Sequence, residues 1–121
     1  MIRLKLGEPA LIPEVLERLR GFAEIEGIEQ AFVGENLRGD DYDVGAIFIM
    51  RDEAAYRAYA YDPIHLEMDR FSRPHLAGAQ IITLGDGEAP DLPEKLLAWG
   101  EVRERDPELR FSEITKFEIK S

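Results

Sequence analysis

The sequence predicts an α+β fold with the element order β-α-β-β-α-β and an antiparallel sheet. Three observations carry the prediction. Apolar residues recur at helical spacing over 12–23 and again over 53–71. Short runs rich in Ile, Val and Phe, at 2–6, 28–36, 42–51 and 78–84, separate those stretches. Glycine, proline and aspartate stand at the junctions, where the chain must turn. A further helix near 93–104 and a final strand over 109–120 follow this core.

The first strand, 2–6, ends at Gly7 and Pro9. From Pro13 the residues Ile12, Val15, Leu16, Leu19, Phe22 and Ala23 share one helical face, while Glu14, Glu17, Arg18 and Arg20 take the other, and Gly27 provides a stop. The strands 28–36 and 42–51 are joined by "NLRGDD", a turn sequence. In the second of them Val44, Ala46, Phe48 and Met50 lie on one face and Ile47 and Ile49 on the other. In the first, Ile28 and Phe32 oppose Ala31 and Val33. A half-exposed strand alternates apolar with polar residues, so strands apolar on both sides predict cover on both sides. Asp52 caps a helix over Glu53–Tyr61. Asp62-Pro63 breaks it and starts another, on which Ile64, Met68 and Phe71 face one way. The strand "GAQIITL" spans 78–84. Beyond it, Asp91 stands three residues before Glu94, a capping-box spacing, at the head of a helix containing Leu96, Leu97 and Trp99. Phe111, Ile114, Phe117 and Ile119 mark the tail strand. The order through residue 84 is the split βαβ, or ferredoxin-like, arrangement, whose two helices cover one face of a four-stranded sheet. Apolar residues on the uncovered face imply a partner, most simply a second copy packed sheet to sheet about a two-fold axis. The reading is one domain over 1–121, with its core at about 1–84 and a C-terminal extension over 85–121.

Composition narrows the function classes. The 25 acids against 15 bases give a net charge of −10, and the bases are scattered rather than gathered in a stripe. Nucleic acid and anionic membrane are therefore poor partners. The absence of cysteine removes disulfides, thiolate metal sites and a cysteine nucleophile. No apolar run approaches the roughly 20 residues of a membrane span, and the start lacks the apolar core of a signal peptide. The expected location is the cytoplasm, with no cofactor and no metal.

The stretch "GIEQAFVGENLRGDDYDVGAIFIMRDEAAYRAYAYDPIHLEM" and above all "YAYDPIH" resemble the stress-responsive dimeric α/β-barrel (Dabb) family. The resemblance covers about residues 1–84 and rests on a Tyr-x-x-x-Pro-x-His run, here Tyr59, Pro63 and His65, together with the element order. It implies a dimer whose two sheets form a barrel. One branch of the family contains a plant polyketide cyclase with a tyrosine and a histidine at the places matching Tyr59 and His65, where they drive an intramolecular aldol condensation. Many relatives carry a histidine in the first strand, where this chain has Leu4. The segment 88–121 lies outside the resemblance and is placed to cover or reshape a cleft.

Two readings of His65 stand side by side. In the structural one, Asp62 is the N-cap, Pro63 is N1 and His65 is N3, whose backbone N–H the Asp62 carboxylate accepts, so the motif is a helix start. In the functional one, the same helix start aims the imidazole into a cleft as a general base, and the Tyr59 hydroxyl steadies an oxyanion. Two functions follow: a dimer that binds a small, mostly apolar molecule, or a cofactor-free enzyme resembling a cyclase, isomerase or monooxygenase. Other residues have plainer readings. His75 fits a helix end or turn, and Asp40, Asp41 and Asp43 fit a solvated hairpin because they lack calcium-loop spacing. Tyr56 and Tyr61 fit packing with wet hydroxyls, Arg70 and Arg73 fit surface ion pairs, and Trp99 fits core.

Overall fold

In the computed structural model the described residues are 1–85, 87 and 90–110, together with the backbone of 117–120. β1 (Ile2–Leu6), β2 (Ile28–Glu35), β3 (Val44–Met50), β4 (Leu76–Ile82) and β5 (Phe117–Lys120) form one sheet in the order β2-β3-β1-β4-β5. The first four pair antiparallel in the ferredoxin-like order; β5 joins the edge of β4 in parallel. The extension thus lengthens the chain's own sheet. β5 is shorter than the expected strand over 109–120: Leu109 sits in a turn with its N–H on the Asp106 carbonyl, and Phe111 and Ile114 lie outside the described residues.

The helices are α1 (Ile12–Arg20), α2 (Glu53–Tyr61), α3 (Pro63–Ser72) and α4 (Leu92–Glu104). α1 buries Val15, Leu16 and Leu19 and gives way to a 3₁₀ turn over Gly21–Glu24. Three residues per turn instead of 3.6 change the phase of the stripe. Phe22 and Ile25 therefore point inward, and Ala23, expected on the buried face, is exposed. Gly27 then turns the chain with φ of +93°, and its carbonyl accepts from the Arg51 N–H at 2.9 Å.

The core lies between the helices and one sheet face. Leu4, Leu6, Val44, Ala46 and Ala79 meet Val15, Leu16, Leu19, Phe22, Tyr59 and Met68. Burying the Val, Leu, Phe and Met side chains of this core favours the fold by roughly 1.5–3 kcal/mol each. A bulge between Ile28 and Gln30 corrects one expectation. Strict alternation puts Ile28 with Phe32, but the extra residue turns Ile28 to the core, where it pairs with Met50. Phe32 stays on the other face beside Ile47, and with Ile49 it forms an exposed apolar band.

β4 begins two residues before the expected strand because it follows directly from a 3₁₀ turn over Arg73–His75, and it releases Thr83 and Leu84 at its end. The helix α4 starts one residue before the expected 93. Its capping box does not form: the Asp91 carboxylate pairs with Lys95 Nζ at 3.2 Å and caps no backbone N–H.

Candidate functional site

The site is built on the corner between α2 and α3. Pro63 disfavours helical backbone at the residue before it, and Asp62 is extended, with φ −66° and ψ 136°. Its carboxylate accepts from the Ile64 N–H at 2.9 Å, one residue short of the His65 N–H that the sequence suggested. The corner places the last turn of α2 against the first turn of α3. The Tyr59 and His65 rings stack with centroids 4.2 Å apart and planes at 17°, and Phe22 meets the imidazole edge-on at 5.5 Å. The Tyr59 carbonyl, left without a helical partner at the end of α2, accepts from the Asp62 N–H at 3.2 Å and from His65 Nδ1 at 2.9 Å. A carbonyl only accepts, so Nδ1 carries the proton, and in the neutral ring Nε2 is the acceptor.

The buried stripe of α3 is His65, Met68, Asp69 and Ser72. This differs from the expected face of Ile64, Met68 and Phe71: Ile64 is 40% exposed, and Phe71 lies under the Arg18 guanidinium at 4.0 Å. Three of the four stripe residues are polar, which is why a search for apolar spacing passed over them. Asp69 Oδ2 stands 3.4 Å from His65 Nε2 and pairs with the Arg103 guanidinium from α4.

Helix α4 reaches the site through residues spaced four apart. Lys95 Nζ pairs with Glu53 Oε1 at 2.5 Å, Trp99 stacks on Tyr56 at 6.1 Å and 22°, and Arg103 meets Asp69. Trp99 is half-buried on the outside of the helical layer, so the expectation of a core tryptophan does not hold. No residue of α4 is fully buried.

Between the helices and the sheet lies a cavity of about 870 Å³. Leu4, Leu19, Phe22, Phe48, Met68 and Ala79 supply its apolar wall, and Tyr59, His65, Asp69, Ser72 and Arg103 its polar side. It reaches the surface where the chain leaves β3 and β4, at Arg51–Glu53 and Thr83–Gly85. Leu4 is core and wall at once.

Burial dominates the electrostatics. It pushes His65 down to about 3, with the Arg103 charge acting the same way and the Tyr59 carbonyl opposing it. The imidazole is therefore neutral near pH 7. Burial also drives the Tyr59 phenol well above its ordinary range, with Tyr56 adding to the effect, so its hydroxyl keeps its proton. Arg103 is lowered by burial against the pull of the surrounding tyrosines.

The other sequence candidates take structural places. His75 lies in the 3₁₀ turn with Nδ1 3.3 Å from Glu8 Oε1. Asp40 accepts from the Tyr42 N–H at 3.0 Å and pairs with Arg3, and Asp43 accepts from the Leu6 N–H at 2.8 Å, so both tie down the hairpin. Arg70 pairs with Glu108 at 3.0 Å, and Arg73 donates to the Arg110 carbonyl. Tyr61 is exposed on α2. Among the described residues no group of three or more His, Asp or Glu is arranged to hold a metal ion, and no helix is long and apolar enough to cross a membrane.

The fold has known counterparts. A dimeric protein of unknown function with a ferredoxin-like fold from Bacteroides fragilis NCTC 9343 is similar at 15% identity and a TM-score of 0.56, over 64% of this chain and 84% of that one. A dimeric ferredoxin-like protein of unknown function from Thermobifida fusca YX is similar at 21% identity and a TM-score of 0.58, over 64% of this chain and 79% of that one. Another, from Jannaschia sp. CCS1, is similar at 28% identity and a TM-score of 0.52, over 62% and 81%. No curated protein matches the chain. The model of the Stress Responsive A/B Barrel Domain matches residues 2–83. The chain thus belongs to the stress-responsive A/B barrel (Dabb) family, and Lys95, Trp99 and Arg103 come to the site from a helix outside the matched segment.

Proposed function

We propose that this protein is a homodimer that holds a small, mostly apolar molecule in each protomer's cavity. The carrying observation is the cavity of about 870 Å³, apolar on the sheet side and polar at His65, Asp69 and Arg103. An apolar pocket with a few convergent polar groups is the usual form of a small-molecule site. The dimer reading rests on the open sheet face, where Phe32, Ile47 and Ile49 are 56%, 44% and 42% exposed, and on the dimeric state of the three similar structures. A second copy packed sheet to sheet buries that band. The test has two readouts. Light scattering at micromolar concentration is expected to give twice the chain mass, and a panel of small apolar ketones, lactones and acids is expected to raise the melting temperature. A stable monomer sinks the dimer, and a panel without a single stabilising compound sinks the binding site.

A second reading is a cofactor-free enzyme with His65 as general base and Tyr59 as oxyanion stabiliser. It is favoured by the stacked pair on one cavity wall, with Nδ1 of His65 fixed as donor and Nε2 left as the basic atom. It is weakened by the value of about 3 for His65, since a general base works best with a pKa near the operating pH. Binding is therefore the preferred reading. Loss of α-carbon protons from a β-keto ester in D₂O, followed by NMR, decides between them: exchange that disappears in His65→Phe favours the enzyme, and no exchange above the buffer rate removes it.

A further inference from the structure

Arg103 is among the residues that line the cavity, and its guanidinium, with Nε and Nη2 buried, pairs with Asp69, which in turn stands 3.4 Å from His65 Nε2. The three groups form a row from α4 to the start of α3. Its total charge is zero when the imidazole is neutral. A guanidinium suits carboxylate through two parallel N–H···O bonds. An arriving carboxylate adds one negative charge to a low-dielectric space, which is costly unless a positive charge is gained. Two groups in the row can take up a proton, the Asp69 carboxylate and His65 Nε2, and they stand side by side. The groups around the imidazole are few. α2 contributes Tyr59 and Tyr56, α3 contributes Asp69, and α4 contributes Arg103. The sheet contributes Leu4, Phe48 and Ala79, and Arg51, Asp52 and Glu53 stand at the mouth.

We propose that Arg103 selects the ligand by exchanging Asp69 for the carboxylate of an apolar monocarboxylic acid, while the released Asp69 and His65 together take up one proton and share it. This deepens the binding reading above and rests on it. The proton arrives on the Asp69–His65 pair from solvent when the ligand is already ionised, or from the ligand's own O–H when it enters as the acid. No other bond changes. Because α4 lies outside the segment shared with the family, the selectivity belongs to this chain's extension.

Octanoate and 1-octanol share an apolar body and differ in the head group, so titration calorimetry of both with the full chain tests the proposal. Octanoate is expected to bind about tenfold or more tightly than octanol, the order of one charge-assisted contact. Run near pH 7 in two buffers of different ionisation enthalpy, octanoate binding is expected to take up about one proton. Its affinity is expected to rise as pH falls. In the double variant Arg103→Met, Asp69→Asn, which leaves neither charge buried alone, both probes are expected to bind alike without proton uptake. Octanol bound as well as octanoate by the wild type overturns the role of Arg103 and leaves the cavity reading standing. Octanoate preference without proton uptake, or preference kept in the double variant, overturns the exchange. Binding of neither probe overturns the carboxylate proposal, while the wider panel decides the cavity reading. The wild-type comparison decides even if the variant does not fold.

Discussion

Replacing His65 with phenylalanine removes the single histidine buried among the described residues and keeps a ring against Tyr59 and Phe22. The Tyr59 carbonyl retains the Asp62 N–H at 3.2 Å, so the change leaves no orphaned acceptor there. What disappears is a titration. His65 lies near 6.5 when unfolded and is pushed to about 3 when folded. Between those values the unfolded chain binds the proton and the folded chain does not, so stability falls as pH falls. At pH 5, about 1.5 pH units below the unfolded value, an unfolded histidine is protonated by roughly thirty to one. RT times the logarithm of that ratio is about 2 kcal/mol, nearly all of it lost between about pH 7 and pH 5. The figure holds for any folded value well below 5. For a chain of this size it corresponds to roughly 6–10 °C in melting temperature. Urea unfolding of the wild type and His65→Phe at several pH values across that window measures it. The wild type is expected to lose about 2 kcal/mol more than the variant. Parallel curves would refute the reasoning and mean that the folded imidazole titrates near its ordinary value, with Asp69 as the stronger influence.

Three further outcomes follow from particular residues. Gly27→Ala is expected to cost roughly 2–4 kcal/mol in urea unfolding, since an added Cβ meets Ala55 Cβ at 2.5 Å and φ is +93°; a loss under about 1 kcal/mol would show that the turn can relax. Asp62→Ala is expected to cost about 1 kcal/mol by removing the Ile64 cap, and the change should also loosen the Tyr59–His65 stack, visible as shifted His65 imidazole proton resonances. Ile47→Glu, on the exposed band beside Phe32, is expected to give a folded monomer by light scattering, and an unchanged dimer would move the interface elsewhere.

Much of the architecture was legible from local chemistry. The Asp52 cap and the Asp62-Pro63 break each follow from residues within a few positions and are where the spacing put them, and α1 starts at Ile12, one residue before the expected Pro13. What the spacing missed came from the backbone or from distance. The bulge at β2 reversed Ile28, and the 3₁₀ turn reversed Ala23, because both change the period on which a pattern is read. Tyr59 and His65 were visible as a motif. Asp69 and Arg103 were not. Asp69 follows His65 by four residues on one helix, a signal present in the sequence but outweighed by the apolar count. Arg103 had no local signal, since its partner lies on another helix and only the fold brings them together.

The fifth strand has a consequence for the solubility of the folded chain. β4 reads Leu-Ala-Gly-Ala-Gln-Ile-Ile, seven residues without a charge or a proline. Such a segment at a bare edge is a template for runaway strand addition between molecules. β5 pairs with the Ala79–Ile82 half of that edge, which holds both isoleucines, and its four residues make a short template in turn. The opposite edge, β2, carries a bulge and the exposed acids Glu29 and Glu35, which blunt it by shape and repulsion. Guards on both margins disfavour open-ended strand addition between copies, the route by which a sheet grows into a fibre.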